Sequence, residues 1–214
     1  CQNARPNNPE GMWREFHVKS LQNPLVQEDP TFIEEIKRLT REEYVQEVDG
    51  EFLDIGDALI PNSLIVDSLQ DGRPIGRLKY YMGVDVARTG RDETVYTIIS
   101  VDEKDNVFLE EVAAESQSNV VDVAGRLKDF VHTYNIQTVY VDETGLGGGL
   151  LDLSREQGMP CRGVMFTLQE KAEMYKNLRL LFENHRIKLK NINKMVYQLS
   201  YLRREYTETG IMKI

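Results

Sequence analysis

From residue 78 onward, short apolar runs alternate with amphipathic stretches, and polar turns separate them. Residues 78–85 and 94–101 are rich in β-branched and aromatic side chains, and a third such run, 107–113, follows the polar turn Asp102-Glu103-Lys104-Asp105-Asn106. Runs of this kind bounded by turn residues read as strands, so the three predict an antiparallel meander. Val120, Val123, Ala124, Leu127 and Val131 then recur at helical spacing behind the N-cap candidates Ser118 and Asn119, which predicts a helix over 120–134. A fourth strand is expected over 138–142, followed by a glycine-rich loop and a helix over 149–157. A fifth strand over 162–166 precedes a helix over 170–184, whose Tyr175, Leu178, Leu181 and Phe182 form an apolar stripe. A short strand over 187–189, a helix over 192–202 and a last strand around Ile211 complete the run.

The first part of the chain has a different texture. Residues 1–76 are polar and irregular, interrupted by Pro6, Pro9, Pro24, Pro30 and Pro61. A helical pair is expected within them, over 30–39 and 41–48, with Thr40 and Glu43 spaced as a capping box for the second helix. Asp71-Gly72-Arg73-Pro74 reads as a turn or linker. The chain is therefore expected to divide into an N-terminal bridging segment, 1–76, and a regular α/β domain, 77–214. The first segment has too few apolar residues for a core of its own and is expected to pack on the second.

Two carboxylates stand out. Asp85 ends the apolar run Tyr80-Tyr81-Met82-Gly83-Val84, and Asp142 ends Thr138-Val139-Tyr140-Val141. A buried strand reads as a continuous apolar stretch, so a charge that ends one sits on the rim of the core. Three antiparallel strands, a helix, a strand, a helix and a strand is the order of the ribonuclease H-like fold, a mixed central sheet flanked by helices. In that fold the fourth strand lies parallel to the first and beside it, after a right-handed crossover. Asp85 and Asp142 would then face each other and repel unless a divalent cation lay between them. The pair predicts a metal site.

Composition narrows the classes. The 214 residues are 41% hydrophobic and 29% charged, ordinary for one substantial domain. No apolar run approaches 18 residues, so no membrane span is expected. The start at Cys1, without an initiator Met, predicts a fragment of a longer protein. The cysteines, Cys1 and Cys161, make no disulfide framework, and His17, His132 and His185 lack zinc-ligand spacing. A net charge of −9 argues against a broad nucleic-acid-coating surface. Local grip remains open to Arg88 and Arg91, to Lys171, Lys176 and Arg179, and to Lys188, Lys190 and Lys194. The glycines at 145 and 147–149 stand where a helix N-terminus can cradle phosphate, with Gly147 and Gly148 nearest that start. Glu143 follows Asp142 on an alternating strand and is expected to point away from it.

The segment Met82-Gly83-Val84-Asp85-Val86-Ala87-Arg88-Thr89-Gly90-Arg91-Asp92 resembles the first nuclease motif of the large terminase subunits of tailed phages. Val139-Tyr140-Val141-Asp142-Glu143-Thr144-Gly145-Leu146-Gly147 resembles the second, and residues 23–52 resemble the segment joining motor to nuclease. The resemblance covers residues 12–214 and implies an endonuclease that cuts concatemeric double-stranded viral DNA by two-metal hydrolysis with Mg²⁺ or Mn²⁺. It implies that Asp85 bridges both ions, that Asp142 holds one, and that Asp92 is an additional ligand. It also implies a further acid on a helix after the last strand, beyond residue 214. The implied partners are double-stranded DNA, the ATPase motor of the same protein, the portal protein and the small terminase subunit. The implied location is the host cytoplasm at the procapsid, and not the mature virion. No G-x-x-x-x-G-K-[ST] loop occurs here, so the motor chemistry is not expected from this chain. Two other classes share the strand order: an actin-like or sugar-kinase-like phosphotransferase, and a non-catalytic DNA-binding or docking module. A junction-resolving nuclease would differ only in the DNA structure it prefers.

Overall fold

A computed structural model describes residues 18–50, 57–69, 72–87, 92–116, 119–143, 147–206 and 212–213. It resolves two units, Cys1–Gly56 and Asp57–Ile214. The unit that holds the sheet thus begins at Asp57, ahead of the 76/77 boundary read from composition.

In the first unit a 3-10 turn, Ser20–Gln22, leads into helices α1 (Pro24–Gln27), α2 (Pro30–Ile36) and α3 (Arg41–Glu47). Each start has a local cause. Pro24 and Pro30 occupy first helical positions, where a missing N–H costs nothing. The side chains of Asn23 and Asp29 accept from the amides of Leu25 and Thr31 at 3.1 and 2.9 Å. The predicted capping box is formed: the Glu43 amide donates to Thr40 Oγ1 at 3.3 Å and the Thr40 amide to Glu43 Oε2 at 2.8 Å. Val48 is the one fully buried apolar residue among those described in this unit.

The second unit opens with α4 (Asn62–Ser68). There follow β1 (Lys79–Asp85), β2 (Glu93–Val101), β3 (Val107–Ser116), α5 (Val120–Tyr134), β4 (Thr138–Asp142) and α6 (Gly147–Glu156). Then come β5 (Cys161–Val164), α7 (Leu168–Glu183), β6 (Ile187–Lys188) and α8 (Asn193–Tyr201). A separate two-stranded ladder joins β7 (Glu205–Tyr206) to β8 (Met212–Lys213). The main sheet runs β5-β4-β1-β2-β3-β6. β1, β2 and β3 form the antiparallel meander, β4 pairs parallel with β1 and β5 with β4, and β6 extends the far edge parallel to β3. This is the ribonuclease H-like arrangement.

Strand alternation sorts the side chains into two layers. Met82, Val84, Tyr96, Ile98, Val139 and Val141 project to one face, where they bury against Val123, Ala124 and Leu127 of α5 and Leu150 and Leu151 of α6. On the other face a second cluster gathers Leu59, Ile60 and Ile65 around Phe182 of α7 and Ile187 of β6, with Val196 and Leu199 of α8. Residues 57–68 therefore belong with the sheet, because their apolar side chains complete this second cluster.

The β2–β3 turn is fixed by one buried carboxylate. Asp102 accepts from the amides of Ile75, Lys104 and Asn106 and from the Asn106 side chain, all at 2.8–3.1 Å. Burial pushes its carboxyl up, but these bonds outweigh that effect and hold it down at about 2. A carboxyl depressed in the folded state contributes its stability fully above its ordinary value of 3.8 and loses it as pH falls toward about 2. Asp102→Asn should therefore lower the urea midpoint most at pH 6–7, with the gap to the parent closing as pH falls below about 4. Urea unfolding across this pH range checks it, and a gap that stays constant would contradict it.

Candidate metal centre

Asp85 and Asp142 are the last residues of two adjacent parallel strands. Val84 lies beside Val141 as the final pair of the β1–β4 ladder, so the register carries Asp85 alongside Asp142. Partners in register share a face and successive residues alternate. Val84 and Val141 point into the α5–α6 core, and both carboxylates consequently point to the α7–α8 face. Asp85 is exposed and Asp142 half-buried. Backbones of neighbouring strands lie roughly 4.8 Å apart, close enough for two carboxylates to share one hard cation.

Local bonds hold both strand ends. The Ala87 amide donates to Thr94 Oγ1 at 3.1 Å, pinning the chain as it leaves β1. On the other side the Glu143 amide donates to the Val164 carbonyl at 2.9 Å, extending the β4–β5 register one residue past Asp142. Glu143 turns to the face opposite Asp142 and lies across Gly163, the register partner of Val141. A Cβ at position 163 would overlap the Oε1, Cδ and Cγ atoms of Glu143. A side chain there would have to displace Glu143.

Asp92 immediately precedes β2 and is exposed, ahead of Val95, the register partner of Asp85. Among the described residues no group of three His, Cys, Asp or Glu side chains gathers, so Asp92 does not complete a three-ligand cluster with the pair. Arg88, Arg91 and Gly145 lie outside the described residues. Gly147 and Gly148 form the first turn of α6, two residues earlier than the helix start read from sequence. Lys171 is exposed in the first turn of α7, its Nζ 5.9 Å from the Phe166 ring centroid, whereas Lys176 is half-buried further along. Sequence reasoning missed the pair Lys194–Glu93, at 2.5 Å, which joins the start of α8 to the first residue of β2. A separation of 101 positions leaves no local signal for that contact.

Residues 82–210 match a family described as the terminase RNaseH-like domain. The chain belongs to that family. No curated protein matches the sequence significantly. Among solved structures, the chain is similar to the large terminase nuclease of thermophilic phage G20c with bound magnesium. The identity is 18% and the TM-score 0.60, over 74% of this chain and 87% of that one. The same phage nuclease has been solved with bound cobalt and with bound zinc. The large terminase of a second thermophilic bacteriophage is 13% identical with a TM-score of 0.62, and that of bacteriophage HK97 is 12% identical with a TM-score of 0.59. The alignments take in 83% and 84% of this chain but only 45% and 44% of those two proteins.

In this terminase domain the rim of β4 depends on the Glu143–Gly163 fit. Gly163→Ala should destabilise by roughly 1–3 kcal/mol through overpacking. In Glu143→Ala/Gly163→Ala most of that loss should disappear, giving a coupling above about 0.5 kcal/mol in a double-mutant cycle by urea unfolding. Additive effects would contradict the contact.

Proposed function

We propose that this terminase domain is a divalent-metal-dependent DNA endonuclease and that Asp85 and Asp142 are its catalytic carboxylates. The observation that carries the reading is the β1–β4 register, which aligns both acids at one strand edge and on one face. The donor set suits the ions. Carboxylate oxygens are hard ligands, and Mg²⁺ is commonly held by one or two carboxylates, with waters and substrate phosphate filling its other positions. Mg²⁺ and Mn²⁺ are accordingly the cofactors of this proposal, and the magnesium-bound G20c nuclease supports it by fold.

Asp85, at the centre of the edge, would bridge two ions, and Asp142 would hold one of them. The exposed Asp92, ahead of β2, is the third acid of this reading although it does not gather with the pair in this structure, and a further acid past residue 214 belongs to the same reading. Two ions held there would supply the chemistry of an activated water and a stabilised leaving 3′ oxygen. The chain's own part is to fix the carboxylates. β1 and β4 set their spacing, the Thr94 hydroxyl holds the exit from β1, and Val164 holds the exit from β4. The substrate in this reading is concatemeric double-stranded viral DNA. The partners are the ATPase motor of the same protein, the portal protein and the small terminase subunit, at the procapsid in the host cytoplasm.

Plasmid nicking in Mn²⁺ tests it, in this chain and in a version extended past Ile214 to carry the further acid. Asp85→Asn should reduce nicking by the extended version at least about 100-fold, the effect of removing a few kcal/mol of charge stabilisation. Folding of the variant is checked by its thermal transition. Nicking that survives Asp85→Asn contradicts the assignment. A parent that binds DNA but never cuts points to a non-catalytic docking module.

A further inference from the structure

The carboxylate edge has basic residues on both flanks. On the β5 side, Val164 stands in register with Asp142, and the chain passes through Met165, Phe166 and Thr167 into α7. Lys171 occupies the first turn of that helix, with its ammonium 5.9 Å from the Phe166 ring centroid, within the range of a cation–π contact. On the β2 side, Glu93 begins the strand that pairs with β1, and Lys194 of α8 reaches it at 2.5 Å. Glu93 and Val95 have the same alternation, and Val95 is the partner of Asp85, so Glu93 lies on the carboxylate face. Both lysines come from the helices that pack on the β3–β6 end of the sheet.

Along the edge stand Asp142 on β4, Asp85 on β1 and Lys194 beside β2, and the chain that leaves β5 at Val164 enters the helix that carries Lys171. Four neighbouring strands span roughly 14 Å at the usual spacing. That is long enough for a short run of backbone phosphates. The formal charge of −9 repels a polyanion, so contact needs cations close to the acids. Lys194 can exchange its partner at small cost. Its side chain is 70% exposed and that of Glu93 38%, and exposed ion pairs contribute little.

We infer that Lys171 and Lys194 form a phosphate-gripping bracket around the Asp85–Asp142 pair, which lays one DNA strand across the strand ends in the β5-to-β2 direction. This rests on the endonuclease reading and deepens it. The lysines neutralise the phosphates on either side of the one presented to the carboxylates, and act as positioning residues.

The test is fluorescence anisotropy of this chain with a labelled DNA duplex in Ca²⁺, titrated across about 50–200 mM salt. Lys171→Ala and Lys194→Ala should each reduce the slope of log K against log salt by about 0.9, and the double variant by about 1.8. Lys→Arg at either site should keep the slope. Lys128→Ala, on the exposed side of α5, should leave it unchanged. An unchanged slope in the double variant, or an equal loss in Lys128→Ala, overturns the bracket. So does a parent chain that binds no duplex at the lowest salt. Calorimetric Mn²⁺ binding to the same proteins reports separately on the carboxylate pair: ion binding that persists while the slopes fail to change sinks the bracket alone.

Discussion

The parallel pairing of β1 with β4 is the constraint on which the rest of the site depends. Its register ends at Val84 and Val141, and the next residue on each strand is an aspartate. One step of slip would move each acid to the opposite face, into the apolar layer formed with α5 and α6, where an ionised carboxylate is costly. The hydrophobic demand of Met82, Val84, Val139 and Val141 thus fixes where Asp85 and Asp142 point. Packing on one face and chemistry on the other are two results of a single register.

Much of this was legible in the sequence because it depends on short-range pattern. Apolar runs closed by an acid located both strand ends, and the strand and helix order led to the parallel neighbour. Helix α5 matches its predicted bounds, since Asn119 accepts from the amides of Val121 and Asp122 and Asn135 takes the left-handed conformation that ends the helix. Helix α7 begins two residues earlier than expected because Thr167 and Glu170 form a capping box. β5 is shorter than the apolar run that suggested it: only Cys161–Val164 pairs with β4 before the chain turns toward α7. β3 runs longer than expected because Ala114, Glu115 and Ser116 still find partners in β2.

What stayed hidden was tertiary. Helix α4 has only seven residues, and Leu64 and Ile65 are apolar there because α7 and α8 need cover, a demand that no local periodicity shows. The two-residue strands β7 and β8 are too short to leave an alternation. The Lys194–Glu93 pair is invisible for the same reason, although it tells which of several basic clusters stands beside the acids. Gly163, inside β5, carries no sequence signal of its contact with Glu143. That contact joins residues 20 positions apart and shows only in the fold.

The most direct test of the central claim is a Mn²⁺ titration of the isotopically labelled chain followed by amide NMR. A seat shared by Asp85 and Asp142 predicts that paramagnetic broadening starts at these two residues and at their neighbours Val95 and Val164, and that Asn at either position abolishes it. Broadening that spreads over the acidic surface without this focus, or that survives both substitutions, would contradict the account.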